Sequence, residues 1–286
     1  MAKYIIYTYQ FSPIRNSSNS LFKELDVNAS ESMIKKQDIF ESILLNDNTR
    51  FVYKNKEYGH KIIHDKDHIT VLKLANTKSV NLEEDFQKHK QYHFPSCQVI
   101  IDNRHDVQHI AIEENSIAFA DTQTVCAILE STFRGYLKSH KLYIDIQKEF
   151  QYSEFWNTIK QYPTGITMVR FHFLYPNLPR VWESVNDLIS KASETTNSKQ
   201  TTFEFKAEED ENLELLENSD MLQGLVKASA DSGNQITLKA RKLRTLIKTG
   251  KTTKSIEIDD LEATLRPDMF DNNGGAKLIE KLNKVK

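Results

Sequence analysis

The feature that most constrains the fold is a series of short segments rich in β-branched and aromatic residues, each ended by turn residues. The first segment, Lys3–Phe11, combines tyrosine, isoleucine and phenylalanine, which favour strands. Cys97–Asp102 has the same character, and Pro95 ends whatever element precedes it. Residues 65–67 (Asp-Lys-Asp) separate two further segments in the way that is typical of a hairpin turn. A chain of this kind folds into short, largely antiparallel sheets.

The same pattern predicts most of the remaining strands. Val107–Glu113 alternates in a way that predicts a strand with one buried face and one solvated face, paired as a hairpin with Cys97–Asp102. The other predicted strands are Arg50–Lys54, Gly59–His64, His68–Ala75, Leu142–Phe150, Ile166–Leu174, Thr201–Lys206, Asn234–Ala240 and Thr252–Ile258.

Apolar residues at helical spacing lie between these strands and predict helices. Asp121 or Thr122 caps a long helix that runs to about Lys138. The other predicted helices begin at Ser32, at Asn81 (to Tyr92), at Ser153, at Pro179 (to Ser193), at Asn212 (to Ala230) and after Gly274-Gly275. The alternation of helices and short sheets predicts an α+β fold with two mixed subdomains, an N-terminal domain over residues 1–140 and a C-terminal domain over residues 141–286.

Composition limits the classes of function. The chain has 286 residues, with 38 Lys+Arg against 40 Asp+Glu, so its net charge is −2. This charge excludes a globally basic nucleic-acid binder but leaves room for a local basic patch. Cys97 and Cys126 lie in apolar runs at a spacing that suits neither a redox pair nor a zinc site, so we expect two buried thiols and no metal or other cofactor. No signal-peptide pattern and no apolar run of membrane-spanning length is present, so we expect a cytoplasmic location and no membrane insertion.

One segment, Lys239–Lys254, concentrates positive charge. It holds seven cations and no acidic residue in 16 positions. On a β-ribbon, alternate residues share a face, which would group Lys239 with Arg241 and set Lys242, Arg244 and Lys248 together. Such a ribbon can lie along a duplex and neutralise phosphates. The predicted DNA-binding residues are Lys239, Arg241, Lys242, Arg244, Lys248, Lys251 and Lys254. The alternative is a solvated hairpin whose charge is balanced by Glu208–Glu217, which has six acidic residues in ten positions.

Two other patterns bear on catalytic chemistry. Gly250-Lys251-Thr252 resembles the end of a phosphate-binding loop, but Thr245 occupies the position where that loop has its first glycine. Asp102 and Glu113, on the hairpin, are the candidate ligands of a metal-dependent nuclease or other toxic effector. No lysine stands two residues after Glu113, as such nucleases require, so an ordinary hairpin with charged ends is the alternative. The sequence therefore favours a protein that is not an enzyme.

The order of the elements resembles a known family. An aromatic strand at Lys3–Phe11 is followed by a helix ending in Ile43–Asp47 and by strands through His68–Leu72. Phe94–Ser96 then leads into a strand, and Ile117–Ala120 precedes a long helix. Over residues 1–150 this layout resembles the Rex-type phage-exclusion proteins of temperate phages, the DNA-binding component of a two-gene system. It is also similar to a bacterial family of unknown function found in mobile elements.

The resemblance implies a dimeric, cytoplasmic, weakly sequence-dependent binder of double-stranded DNA that acts in antiviral defence, with a second protein of a defence operon as a partner. In that family the DNA-binding cations lie in the second half of the chain, where Lys239–Lys254 is the comparable concentration. A third hypothesis remains open. The chain would then be an interaction subunit of a larger defence complex, with the predicted helix at 212–230 and the amphipathic tail as its contact surfaces.

Overall fold

The computed structural model describes residues 1–14, 31–84, 86–162, 164–174, 196, 198, 200–265 and 274–284. The chain divides into two compact units: unit 1 comprises Met1–Ile6, Phe11–Ile146 and Ser255–Lys286, and unit 2 comprises Tyr7–Gln10 and Gln147–Lys254. The pattern of elements predicts one boundary at residue 140. The division instead falls after Ile146, and the final segment belongs to unit 1, because residues 255–258 pair with residues 2–5. The helix predicted at Pro179–Ser193 lies outside the described residues.

The described elements follow the predicted alternation. The strands are β1 Ala2–Pro13, β2 Phe51–Tyr53, β3 Lys56–Lys66, β4 Ile69–Ala75, β5 Lys78–Glu84, β6 Gln87–His93, β7 Ser96–Asp102, β8 His109–Glu113, β9 Leu142–Lys148, β10 Ile166–Leu174, β11 Gln200–Lys206, β12 Thr237–Ala240, β13 Ile247–Lys248 and β14 Ser255–Ile258. The helices are α1 Lys36–Leu44, α2 Thr122–Leu137, α3 Ser153–Lys160, α4 Asp220–Asp231, α5 Leu261–Leu265 and α6 Gly274–Asn283. Strands and helices share the chain and the sheets are mostly antiparallel, so the α+β prediction is confirmed.

Unit 1 is built on one large sheet. Its strand order is β14-β1-β8-β7-β4-β3-β2, and β9 also pairs with β1. One face of this sheet carries Tyr4, Ile6 and Ile100, which form a buried cluster with Leu278 and Leu282 of α6. Alternation puts Phe11 of β1 on the opposite face. There Phe40 of α1 contacts Phe11, and Phe133 of α2 contacts Phe51 of β2, in edge-to-face ring pairs.

The hairpin formed by β7 and β8 is buried on both faces, which corrects the prediction of one solvated face. Ala111 lies on the face covered by the carboxyl-terminal helices, and Ile110 lies on the other, yet both are almost completely buried. Successive side chains of the strand do point to opposite faces of the sheet. Both faces are buried because helices from two distant parts of the chain cover them. A pattern within seven residues does not contain that information.

Strands β5 and β6 occupy most of the segment 81–92, where the sequence predicted a helix. Strands β5 and β6 pair antiparallel from Lys78↔His93 to Glu84↔Gln87 and make a separate two-stranded sheet. The alternation of Val80 and Leu82 with polar residues at period two favours a strand, and it outweighs the helical cap that Asn81 could have supplied.

Unit 2 contains a four-stranded antiparallel sheet in the order β11-β10-β12-β13. Helices α3 and α4 cover one face of it. Phe155 and Trp156 of α3, with Leu225 and Val226 of α4, pack there against Val169, Phe171, Phe173, Leu238 and Ala240 of the sheet. Since side chains alternate along a strand, the residues between these core positions lie on the opposite face. We call it the open face because its lysines are exposed, although Met168 and Thr237 on it are buried.

Helix α4 begins later than the sequence predicted. Ser219 accepts a hydrogen bond from the Leu222 N–H at 3.4 Å and caps the helix at Asp220. The preceding residues 212–219 are not helical, although Leu213 and Leu215 pack against the unit 2 core. Their spacing of two residues suits an extended segment, and Glu214 between them is exposed. The other predicted caps give a mixed result, because Asp121 does cap α2 whereas no side-chain hydrogen bond caps α1 or α3.

Gly233, just beyond the end of α4, provides a test of this packing. Its φ of +69° is left-handed, and a Cβ there would lie 2.5 Å from the Gln147 Cβ and 2.7 Å from the Lys148 carbonyl oxygen. We expect Gly233→Ala to lower the free energy of unfolding by about 1–3 kcal/mol, measured by urea denaturation.

The matched control is Gly135→Ala, within α2, where an added Cβ meets no atom within 4 Å. This substitution is expected to raise the free energy of unfolding by about 0.5–1 kcal/mol, because alanine is the better helix former. Equal stabilities of the two variants would contradict the packing described for Gly233.

Candidate nucleic-acid interface

The predicted basic ribbon is present but short. Strands β12 and β13 pair antiparallel through Thr237↔Lys248 and Leu238↔Ile247, and residues 241–246 connect them. Strand β12 also pairs with β10, so the ribbon forms the edge of the unit 2 sheet. The strands of the positive segment are therefore part of a larger sheet, and pairing with β10 fixes the position of β12 and of the cation on it.

The burial of the apolar side chains determines the faces of the ribbon. Leu238, Ala240 and Ile247 pack into the unit 2 core, so Lys239 and Lys248 lie together on the open face. Alternation on a longer ribbon predicts that Lys239 and Arg241 share a face. That grouping is wrong because β12 ends at Ala240, and Arg241 already lies in the connecting loop.

Arg241 has hydrogen-bond and ion-pair partners within unit 2. Its Nε donates to Asn212 Oδ1 at 3.0 Å, another guanidinium nitrogen donates to the Glu211 carbonyl oxygen, and Nη1 lies 3.5 Å from Asp210 Oδ1. Only a quarter of the side chain is exposed. Arg241 therefore binds the acidic segment Glu208–Glu217 within unit 2, and we leave it out of the exposed cations considered below.

Lys254, another of the predicted cations, is mostly buried and also has partners within unit 2. Its Nζ lies 3.1 Å from Glu149 Oε2 and 2.5 Å from Asp231 Oδ1, and Glu149 is completely buried. Burial by itself lowers the pKa of Lys254, but the charges of Glu149 and Asp231 outweigh burial and hold its pKa above the usual value. Lys254 is thus the cation of a buried ion cluster.

The other five predicted cations are exposed. Lys239 and Lys248 lie on the open face of the sheet, whereas Lys242, Arg244 and Lys251 lie in the loops next to it. No acidic residue interrupts the segment that carries them. These five side chains, which we call the exposed cation set, are the part of the predicted site that can meet a ligand.

The sheet register adds residues that the sequence analysis missed. Lys206 on β11 and Lys239 on β12 both oppose Met168 on β10, so the two cations lie in one row, two strands apart, or about 10 Å. In the next row, Arg170 opposes Glu204 on one side and Thr237 on the other. Alternation in these strands could have suggested the faces, but not which strands are neighbours.

The open face has a positive electrostatic environment. Arg170 forms an ion pair with Glu204 at 2.5 Å and is about one-third exposed. The pKa of His172 is lowered from its usual value by burial and then by the charges of Arg170 and Lys248. His172 therefore remains neutral at pH 7. In the described strands of this sheet, Glu204 is the acidic residue that lies opposite Arg170.

The loop that resembles part of a phosphate-binding motif already holds an anion. The Glu154 carboxylate accepts hydrogen bonds from the backbone N–H groups of Gly250, Lys251 and Thr252 at 2.8–3.0 Å. Successive backbone N–H groups of this kind form an anion-binding concavity. Here that concavity fixes the first turn of α3 to the end of the basic segment.

The candidate metal ligands Asp102 and Glu113 do not meet. Asp102 is buried and accepts hydrogen bonds from Arg104 Nε and Nη2 at 2.8 and 2.6 Å. Asp102 opposes His109 on β8. Glu113 lies four residues beyond His109 along the same strand, which is about 13 Å away. Glu113 accepts from the Gln98 N–H at 2.7 Å. Within the described ranges, no three metal-ligating side chains form a cluster that could hold an ion.

Comparisons with protein-family models, with curated proteins and with solved structures give no match for this chain. Of the helices that the structure describes, none combines the length and the apolar character needed to cross a membrane.

The role assigned to Lys254 leads to a stability prediction. Lys254→Met leaves Glu149 buried without its cation, so we expect the free energy of unfolding to fall by about 3–5 kcal/mol. Because the folded-state pKa of Lys254 is raised, the stabilisation is present at neutral pH and is lost as the pH rises through that value. Urea denaturation at pH 7 measures the change.

The control is Lys251→Met, three residues earlier, where the side chain is exposed. We expect a change within about 0.5 kcal/mol. If both substitutions had the same small effect, the ion cluster would not stabilise unit 2.

Proposed function

We propose that this chain is a non-enzymatic protein that binds double-stranded DNA through the backbone phosphates, using the exposed cation set together with Lys206. The observation that carries the proposal is the exposure of these six cations on one sheet face and its adjoining loops. Each cation that neutralises a phosphate releases a counterion from the duplex, and this release supplies most of the free energy of nonspecific DNA binding.

The chemistry of the face favours a duplex over a single strand. Binding of single strands relies on exposed aromatic rings, on which the bases stack. The phenylalanines of this sheet lie on its helix-covered side instead: Phe171 and Phe173 are completely buried, and Phe203 and Phe205 pack against the same core. The open face carries positive charge and hydroxyl groups, together with Met168, His172, Gln200 and Glu204.

The same residues favour weak sequence dependence. Four of the five members of the exposed cation set are lysines, and only Arg244 carries a guanidinium. Lysine acts as a point charge toward a phosphate, whereas a guanidinium can form the paired hydrogen bonds that identify guanine. Binding that is positioned by phosphates carries little sequence information.

The biological setting of the proposal rests on the Rex-type resemblance of residues 1–150. On that basis we propose a cytoplasmic homodimer that acts in exclusion of infecting phage, with a second protein encoded in the same defence operon as a partner.

Removing the two cations of the open ribbon face tests the proposal. The double variant Lys239→Ala, Lys248→Ala is expected to weaken binding to unrelated duplexes roughly tenfold at low salt. The slope of log affinity against log salt should fall by about two, one for each phosphate that the variant no longer neutralises. Gel-shift titrations over a series of salt concentrations measure both quantities. The loop variant Lys242→Ala, Arg244→Ala should change them in the same direction.

The matched control removes two exposed lysines from the helices on the other side of the sheet, Lys160→Ala with Lys227→Ala. This variant has the same change in charge, but neither lysine faces a phosphate, so its salt slope should stay at the wild-type value. A slope unchanged in both ribbon variants would refute the proposal. Degradation of the duplex only when magnesium is added would support the nuclease hypothesis instead.

A further inference from the structure

The hairpin of β5 and β6 is a second surface that the proposed DNA contacts do not use. Among the residues that the structure describes, the two strands pair only with each other. Every described side chain of β6 is exposed, and Val80 and Leu82 on β5 are each 47% exposed. A two-stranded hairpin without a core is marginally stable in water, so an apolar pair on it is a feature that needs a partner.

Nothing within the hairpin covers this apolar pair. The register sets Val80 opposite Gln91 and Leu82 opposite His89, so neither has an apolar neighbour across the strands. Among the described strands, none pairs with the outer edge of β5, and a strand edge of this kind is a template for another strand. Both features lie on β5, which points to a strand as the occupant.

The order of residues along β5 is complementary to itself when it is reversed. A two-fold axis through Asn81 sets Val80 opposite Leu82 of the partner subunit, and the same pair recurs on the other side of the axis. Ser79 then opposes Glu83 of the partner subunit, and Asn81 opposes its own copy. By position in the sequence, Lys78 falls opposite residue 84, a glutamate. Opposed apolar pairs and opposed opposite charges both stabilise paired strands.

We propose that β5 pairs antiparallel with β5 of a second copy of this chain, which forms a continuous four-stranded sheet across a two-fold axis. A symmetric dimer needs one surface that is complementary to itself, and β5 meets that condition. The proposal deepens the homodimer of the proposed function by assigning its surface, and it does not depend on DNA binding.

The alternatives in the same hairpin are less complementary. The same operation on β6, centred on Lys90, sets Lys90 against its own copy, and like charges directly opposite each other are destabilising. Moving the axis on β5 by one residue, to Val80, sets Lys78 against Leu82. Centring on Asn81 therefore matches apolar with apolar and charge with opposite charge.

The experiment places opposite charges at the paired positions 80 and 82 of the full chain. Sedimentation velocity over a concentration series measures the mass in solution. The wild type is expected to have the mass of two chains. Val80→Lys places a lysine opposite Leu82, and Leu82→Glu places a glutamate opposite Val80, so each single variant should raise the dimer dissociation constant at least tenfold. The double variant sets the new lysine of one copy opposite the new glutamate of the other and should restore the dimer. An equimolar mixture of the two single variants should also dimerise.

Tyr92→Lys is the matched control, because Tyr92 is exposed on β6 and lies on the opposite face of the hairpin. It should leave the dimer unchanged, and circular dichroism should show all variants folded. A monomeric wild type, a dimer that resists both single variants, or a double variant that stays monomeric would each overturn the proposal. The DNA-binding variant Lys239→Ala, Lys248→Ala should remain dimeric, so a failure of DNA binding and a failure of this pairing are separate results.

Discussion

Unit 2 depends on the buried ion cluster of Lys254, Glu149 and Asp231. These residues come from three places: the chain just after β9, the end of α4 and the end of the basic segment. A buried carboxylate is costly without a cation, so the cluster keeps the end of the basic segment against unit 2. Glu154 anchors the same segment through three backbone N–H groups. With one end held, the remaining cations are displayed by the sheet edge and its loops.

Unit 1 shows a different constraint, in which a large sheet must be covered on both faces. Helices α1 and α2 supply aromatic side chains to one face. The carboxyl-terminal segment returns to add β14 to the sheet and to cover the other face with α5 and α6. Burial on both sides means that four of the five residues of β8, His109 included, are buried. The return of β14 means that unit 1 is not one continuous stretch of the chain.

The predictions that succeeded depend on local periodicity, and those that failed depend on distant contacts. Strands β1, β4, β7 and β10 lie close to their predicted positions because their composition and alternation suit a buried sheet. The predicted helices at 81–92 and 212–219 are wrong for one reason. Both segments are mostly polar, so their few apolar residues fit helical spacing and strand spacing almost equally well. Strand pairing or packing against distant residues then decides between a helix and an extended segment. The apolar pair on β5 and Leu213 with Leu215 show that the spacing by two was the informative signal.

The sequence by itself determined the α+β class, the approximate course of most strands and the position of the concentrated positive charge, because composition and periodicity act over a few residues. Only the tertiary structure decided which charges a ligand can reach. Lys254 meets Glu149 across 105 positions, and Arg241 meets Asn212 across 29, so two of the seven cations are used internally. Lys206 joins the exposed face because β10 lies between β11 and β12. Burial and pairing of charges arise from contacts between distant residues, which no local pattern contains.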